Sequence, residues 1–480
     1  MARSGLRRRR TPSGDSARRR QGPGRAGPTS VDRTGQHGNR RRPRLPHRDR
    51  GTGRPRQSRV GGRHRPGRTS SRCRAGGNAR HQSHAAERGN RGAGAVIPLF
   101  VPGPVTVDPA VLTAQATAPI YHRGDEYGRM LRDITAMLAQ VLGTTSDVYC
   151  VCGSGTATLE MAVQNICPSG DRVVVATNGY FGERLAELCH RLDLDTVHVR
   201  ADYTEPLPIQ QIDRALRTPT TALLAVHHET STGRVNDLAT LANLCRAHRA
   251  LCVIDAVSSA GVLPINMDRH GLDVVVSSSH KGIGGAPGVG ILAISPRAWG
   301  RARAVAPPAT LAGDWGRVRR AFLRDPAESL WTPPVSVMAG LHAALEALTR
   351  RAPLAQAQAH RAAIGRAVRA GLSGCGFTVW PSGAAEVAPV TAAEPPSGIA
   401  ADELVATLRE VTGVQIGSGL GPLAGRIVRV SHLGIELFHV FGLLGAISVA
   451  TRGAADRAAD GPAEQAWRAF TASAVKAAAA

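Results

Sequence analysis

Lysine is scarce in this sequence of 480 residues: Lys281 and Lys476 stand beside 58 arginines. Arginine stays protonated, whereas a desolvated lysine can lose its proton and attack a carbonyl. Lys281 follows an apolar run in Ser277-Ser278-Ser279-His280-Lys281-Gly282-Ile283-Gly284-Gly285, and its small neighbours leave room for a flat ligand. A structural lysine would more naturally sit on an amphipathic helix. Asp255 closes a second apolar run, Leu251-Cys252-Val253-Ile254-Asp255. An acid there either caps a helix or partners a protonated ligand nitrogen.

Three further signals accompany this pair. Gly153-Ser154-Gly155-Thr156 separates a strand from a helix, so backbone N–H groups and the two hydroxyls can approach an anion. Thr158 stands where a dinucleotide fingerprint wants a third glycine, and no GxxxxGK[ST] run exists, so a P-loop is excluded. His227-His228-Glu229-Thr230 follows an apolar run, and its histidines read as satisfied loop residues. Arg429 lies inside the short apolar strand around Ile427–Val430, where a guanidinium is costly unless it meets an anion such as a substrate carboxylate. Together the five point to pyridoxal phosphate. That cofactor needs a phosphate cradle, an acid for its ring nitrogen, an imine-forming lysine, a ring-stacking group and a carboxylate-binding arginine.

The elements that must position these residues alternate along the chain. Strands are expected at 147–152, 172–176, 196–200, 222–226, 251–254, 274–277 and 289–294. Helices are expected at 155–166, 182–191 and 238–249. Such alternation predicts an α/β fold, a mostly parallel sheet covered by helices, with ligands at the carboxyl ends of the strands. Beyond residue 299 the pattern changes. Helices are expected at 334–349, 354–372, 402–411 and 437–449, and short strands at 376–379, 386–390 and 427–430. The expected organisation is a basic extension (1–95), a large ligand-binding domain (96–350), a smaller α+β domain (351–452) and an Ala-rich tail (453–480).

The net charge of +24 belongs almost wholly to the first 95 residues, which hold 27 arginines against four acids. The remaining 385 residues are near neutral, so the whole chain is not a basic nucleic-acid-binding protein. The Arg/Gly/Pro/Ser arm has too few hydrophobic side chains to offset its ordering entropy and reads as disordered, and it lacks aromatics for base stacking. The eight cysteines show no CxxC or zinc spacing, which predicts buried thiols in a reducing, cytoplasmic compartment. The longest apolar stretch, 438–450, is too short to span a bilayer.

From Pro102-Gly103-Pro104-Val105-Thr106 to about residue 450, these motifs resemble the class V, fold-type I pyridoxal-phosphate aminotransferases. The likeness is to alanine–glyoxylate/serine–pyruvate aminotransferases and to 2-aminoethylphosphonate–pyruvate transaminases. The resemblance implies that Lys281 forms the Schiff base and shuttles protons, and that Asp255 pairs with the ring nitrogen. Ser154, Gly155 and Thr156 would hold the phosphate, with His280 beside it. Phe181 and Val257 would contact opposite ring faces, and Thr230 the phenolic oxygen. Thr332 would reach the partner subunit's phosphate, implying a homodimer, and Arg429 would bind the substrate carboxylate. The implied activity moves an amino group from a small amino acid, of alanine or serine type, to glyoxylate or pyruvate.

The chain departs from that pattern in places. His280 stands where the alanine–glyoxylate enzymes usually carry Gln, and Ser329 where they often carry an aromatic. His-Lys occurs in cysteine desulfurases, but Cys375, the one cysteine after Lys281, reads as the entry to a buried strand, which disfavours desulfuration. His227-His228-Glu229-Thr230 and Gly285-Ala286-Pro287-Gly288-Val289-Gly290 lean toward the aminoethylphosphonate enzymes. Gly419–Gly425 leans toward the alanine–glyoxylate ones. A rival reading makes the basic arm the active part, binding nucleic acid beside an inactive core. Deleting residues 1–95 separates the two. Transaminase turnover is expected to survive unchanged; loss of strongly salt-dependent DNA binding on deletion would favour the rival.

Overall fold

The larger sheet has seven strands: β1 (Asp147–Cys152), β2 (Arg172–Thr177), β3 (Asp195–Arg200), β4 (Ala222–Val226), β5 (Leu251–Asp255), β6 (Val274–Ser278) and β7 (Val289–Ile294). Their order is β1-β7-β6-β5-β4-β2-β3. Only β7 runs antiparallel to its neighbours. This computed structural model describes residues 98–382, 388–451 and 461–478. The basic arm and part of the Ala-rich tail lie outside the described residues.

Continuous apolar runs become strands here because both faces of the sheet are covered. Leu223 and Ala225 of β4 turn toward a core shared with Leu131 and Leu138. Ala222, Leu224 and Val226 turn the other way, toward Leu159 and Leu185. The helix Asp125–Leu142, which goes beyond the elements read from sequence, supplies much of the first core. Acids occupy its first turn, and Gly143 ends it in the left-handed conformation. Further helices not anticipated are Ile209–Leu216, Pro296–Ala304 and Trp315–Phe322.

A second, five-stranded sheet is built from Leu99–Phe100, Gln415–Ser418, Val428–Ser431, Val390–Glu394 and Thr378–Trp380, in that order. Its first strand pairs in parallel with residues 415–416, far away in sequence. The strand expected at 386–390 begins instead at Val390. Pro389 has no N–H to give the ladder, so pairing starts after it. Residues 386–387 lie outside the described residues. The tail forms a helix, Pro462–Ala478, packed on Leu354–Gly374.

The helix Gly155–Ile166 after β1 lies close to the sheet. Gly290 of β7 permits this: a Cβ there would fall 1.8 Å from Thr158 Oγ1. Thr158 is buried and donates to the Ser154 carbonyl at 2.9 Å, so it cannot simply turn away. Gly290→Ala is therefore expected to lower stability by about 1–3 kcal/mol and to weaken cofactor retention, measured by urea denaturation and by cofactor titration. Unchanged values would show that the helix has slack the packing does not suggest.

Candidate functional site

Because β1, β2, β4, β5 and β6 share one direction, the loops after them meet along one edge of the sheet. Those loops carry Ser154–Thr156, Phe181, Thr230, Val257 and His280–Lys281. Asp255 ends β5 and lies opposite Val276 of β6, the strand that leads to Lys281. Arg429 enters from the second sheet, on the strand Val428–Ser431.

Lys281 is covered by the segment that precedes the large sheet. Its Nζ donates to the Pro102 carbonyl at 2.5 Å, and Val105 N donates to the His280 carbonyl at 3.3 Å. Gly103 (φ +140°) lies against the lysine: a Cβ there would be 2.6 Å from Lys281 Cε. Burial pushes the ammonium down to about 8. Asp255 opposes that shift, and Arg429 and Arg184 add to it. The amine is thus partly neutral near physiological pH, as nucleophilic attack on an aldehyde requires.

Asp255 is pushed up to about 6, first by burial. The Val257 N–H, donating at 2.9 Å, together with Arg184 and Lys281, works the other way. At neutral pH it is a carboxylate with no ion-pair partner at contact distance among the described residues, suited to a protonated ring nitrogen. Val257 packs against Gly155, where a Cβ would meet Val257 Cγ2 at 2.5 Å. The Ser154 side chain caps the helix Gly155–Ile166, accepting from Ala157 N, and both Ser154 and Thr156 are exposed.

Phe181 opens the helix Tyr180–Arg191, and the Arg184 guanidinium lies 5.1 Å from its ring centroid. That helix has no side-chain cap of its own. Its first N–H groups are met by the loop after β4. Tyr180 N donates to Ser231 Oγ (2.9 Å), and Phe181 N and Gly182 N donate to Glu229 Oε2 (3.1 and 3.0 Å). Ser231 adds its N–H and hydroxyl to Glu229 Oε1 (3.1 and 2.6 Å). Glu229, fully buried, is a positioning residue that sequence reasoning missed; an acid in a polar loop reads as solvent-facing. The next residue, Thr230, is also buried, and its carbonyl accepts from Arg429 Nη1 at 3.3 Å.

Arg429 is 7% exposed and donates from Nε to the Ser418 carbonyl at 2.7 Å. Among the described residues it touches carbonyls and no carboxylate. Burial pushes it down to about 10, with Glu229 opposing, so it remains a cation in search of an anion. His227 is satisfied by Ser259 Oγ at 2.9 Å, as expected for a loop histidine. His228 is buried as well, against the Ser258 backbone. Thr332 lies beside Cys152, at the end of β1. It is exposed, and its carbonyl accepts from the Cys152 thiol at 3.9 Å. A cavity of about 330 Å³, lined by Tyr149, Cys150, Met161, Phe322 and Trp331 among others, is lined by none of the expected site residues.

The donor set fits pyridoxal phosphate. His280 Nδ1 is buried without a partner beside Lys281, and the cradle hydroxyls and Asp255 offer complementary groups for the phosphate and the ring nitrogen. Fold and site together define a fold-type I, pyridoxal-phosphate-dependent transferase. The family model described as aminotransferase class V matches residues 111–431. The chain belongs to that family and is a pyridoxal-phosphate-dependent transaminase.

Among its relatives, an L-aspartate–glyoxylate aminotransferase of Paracoccus denitrificans is 32% identical over 359 residues, covering 70% of this chain and 86% of the relative. A protein of Synechococcus named soluble hydrogenase, small subunit, is 31% identical over 341 residues, covering 70% and 88%. The crystal structure of an alanine–glyoxylate aminotransferase from Nostoc superposes with a TM-score of 0.71 at 27% identity, covering 74% of this chain and 95% of that one.

The buried ammonium gives a test independent of cofactor. With the folded value near 8 and the ordinary value at 10.5, the unfolded chain binds more protons between those limits. The burial penalty is therefore full below pH 8 and disappears by about pH 10.5. Cofactor-free Lys281→Met is expected to be more stable than wild type at pH 7, by up to about 3 kcal/mol. Its advantage should shrink as pH rises through that window, measured by paired urea denaturation. A pH-independent difference would show that the ammonium is well solvated.

Proposed function

We propose that the chain moves an amino group from a small amino acid, of alanine or serine type, to glyoxylate or pyruvate by a ping-pong sequence. The observation that carries this reading is Arg429, a buried guanidinium with carbonyl partners and no carboxylate of its own. A small α-amino or α-keto acid supplies that carboxylate, with the two-pronged geometry an arginine favours. The names of the relatives that act on glyoxylate support the acceptor.

Pyridoxal phosphate, when bound, supplies an aldehyde and an electron-withdrawing ring. In this reading Lys281 holds the aldehyde carbon through Nζ. With its Nζ free, Lys281 would carry a proton as general base and acid, a role its lowered proton affinity suits. Asp255 keeps the ring nitrogen protonated. Phe181 and Val257 would hold the ring, Thr230 would meet its phenolic oxygen, and Ser154, Gly155, Thr156 and His280 would take the phosphate. Arg429 fixes the carboxylate and so the direction of the Cα–H bond.

The reading extends to a homodimer. Ser154, Thr156 and Thr332 are all exposed in a single chain, which supports a second subunit closing the phosphate side of the site. Residues 96–350 and 351–452 are proposed to act as separate large and small domains, with Arg429 supplied by the second. Among the described residues, Cys167, Cys189, Cys245, Cys252 and Cys375 are buried, which supports a reducing cytoplasm as the compartment. Among the described residues, no helix is long and apolar enough to cross a membrane.

Borohydride reduction of the cofactor-loaded protein, followed by peptide mapping, is expected to leave the pyridoxyl group on Lys281. A label elsewhere overturns the assignment. Alanine, serine and 2-aminoethylphosphonate, each paired with glyoxylate and pyruvate, then separate the donors. Arg429→Lys should cut kcat/KM for carboxylate substrates about 10- to 100-fold, mainly through KM, because one prong is lost. Turnover confined to 2-aminoethylphosphonate would replace the proposed donor class.

A further inference from the structure

Arg184 is a cation at the site to which the family resemblance assigns no role. It lies on the second turn of the helix Tyr180–Arg191 and is only partly exposed. Its guanidinium packs over the Phe181 ring, 5.1 Å from the centroid, and its Nη2 donates to Thr156 Oγ1. Among the described residues no carboxylate pairs with it, whereas its neighbour Glu183 pairs with Arg200. It is close enough to Asp255 and Lys281 to act electrostatically on both.

A guanidinium held against an aromatic face and left without an acid is poised for an anion from outside the chain. Its position identifies which one. Thr156 is the last residue of the Ser154-Gly155-Thr156 cradle, at the N-terminus of the helix Gly155–Ile166, where phosphate is favoured. By donating to the Thr156 oxygen, Arg184 leaves the hydroxyl hydrogen free to point at that phosphate. The fork retains N–H groups able to donate to it as well.

We propose that Arg184 is a phosphate-binding residue of the cofactor site. It completes the cradle through Thr156 and ties phosphate binding to the placement of the ring-stacking Phe181. The inference rests on the cofactor assignment above, and it assigns to this one side chain the strong, charged part of phosphate recognition. Ser154 and Gly155 supply neutral donors only.

The experiment compares pyridoxal phosphate with pyridoxal, which has the same ring and aldehyde without the phosphate. Their dissociation constants are measured by absorbance titration for wild type, Arg184→Lys and Arg184→Met. Arg184→Met is expected to weaken pyridoxal phosphate about 10- to 100-fold and to leave pyridoxal within about twofold, since hydrogen bonds to charged groups carry this much. Arg184→Lys should fall between the two. Phosphorus NMR of the loaded Arg184→Met protein should show the phosphate taking up its proton at higher pH than in wild type.

An equal loss for both ligands would mean that Arg184 acts only by shaping Phe181, and would overturn the proposal. So would unchanged affinities, or an effect confined to the KM of donors bearing a second acidic group. Wild-type labelling of Lys281 by borohydride separates a failure here from a failure of the enzyme assignment. Melting curves on all three proteins exclude unfolding as the cause.

Discussion

The site is organised around an excess of positive charge drawn largely out of solvent. Arg184 and Arg429 both act on Lys281 at the carboxyl edge of the sheet, Asp255 is the buried carboxylate that opposes them there, and Glu229 faces Arg429. The histidines nearby do not add to the imbalance. Burial drives His227 and His432 down to about 3 and His228 well below its ordinary value, so all three are neutral at physiological pH. Three cations against two anions is a costly arrangement in a low dielectric. It persists only if ligands of opposite charge complete it, and a phosphate and a substrate carboxylate are the anions this chemistry brings.

The two carboxylates are used differently because their surroundings differ. Glu229 accepts hydrogen bonds from Phe181 N, Gly182 N, Ser231 N and Ser231 Oγ, so its charge is spent on fixing the start of a helix. Asp255 accepts one, from Val257 N, and keeps capacity for an external donor. Burial raises both, but only Asp255 has room to respond to a cationic ring nitrogen. Glu229 also nudges Asp255 upward, so the helix cap that places Phe181 tunes the acid that meets the ring's nitrogen.

Much of this was readable from residue types alone. Lys281 and Asp255 stood out because each ends an apolar run, and a parallel sheet brings strand ends together whatever the loops do. Arg429 stood out because a charge inside an apolar strand needs an explanation. What stayed hidden depends on contacts distant in sequence. Leu99–Phe100 is too short to read as a strand, and its partner at Gln415–Ile416 cannot be inferred from either segment. The helix Asp125–Leu142 does carry an apolar stripe through Tyr127, Leu131, Ile134, Leu138 and Val141, so its signal was local and available. Glu229 and Arg184 gave no signal, because an acid in a loop and an arginine on an amphipathic helix are each ordinary until the fold puts them against the site.

The same reasoning explains why the lysine is not replaced by the arginine that this sequence uses almost everywhere else. An arginine in the pocket under Pro102 and Gly103 would stay protonated and add a permanent third guanidinium beside Arg184 and Arg429. The lysine relieves the crowding by releasing its proton, and the two arginines help it do so. The cations that prepare the site for its anions are therefore the groups that make its amine reactive. Anion recognition and nucleophile activation are one electrostatic device here, and the sheet edge holds its parts in register.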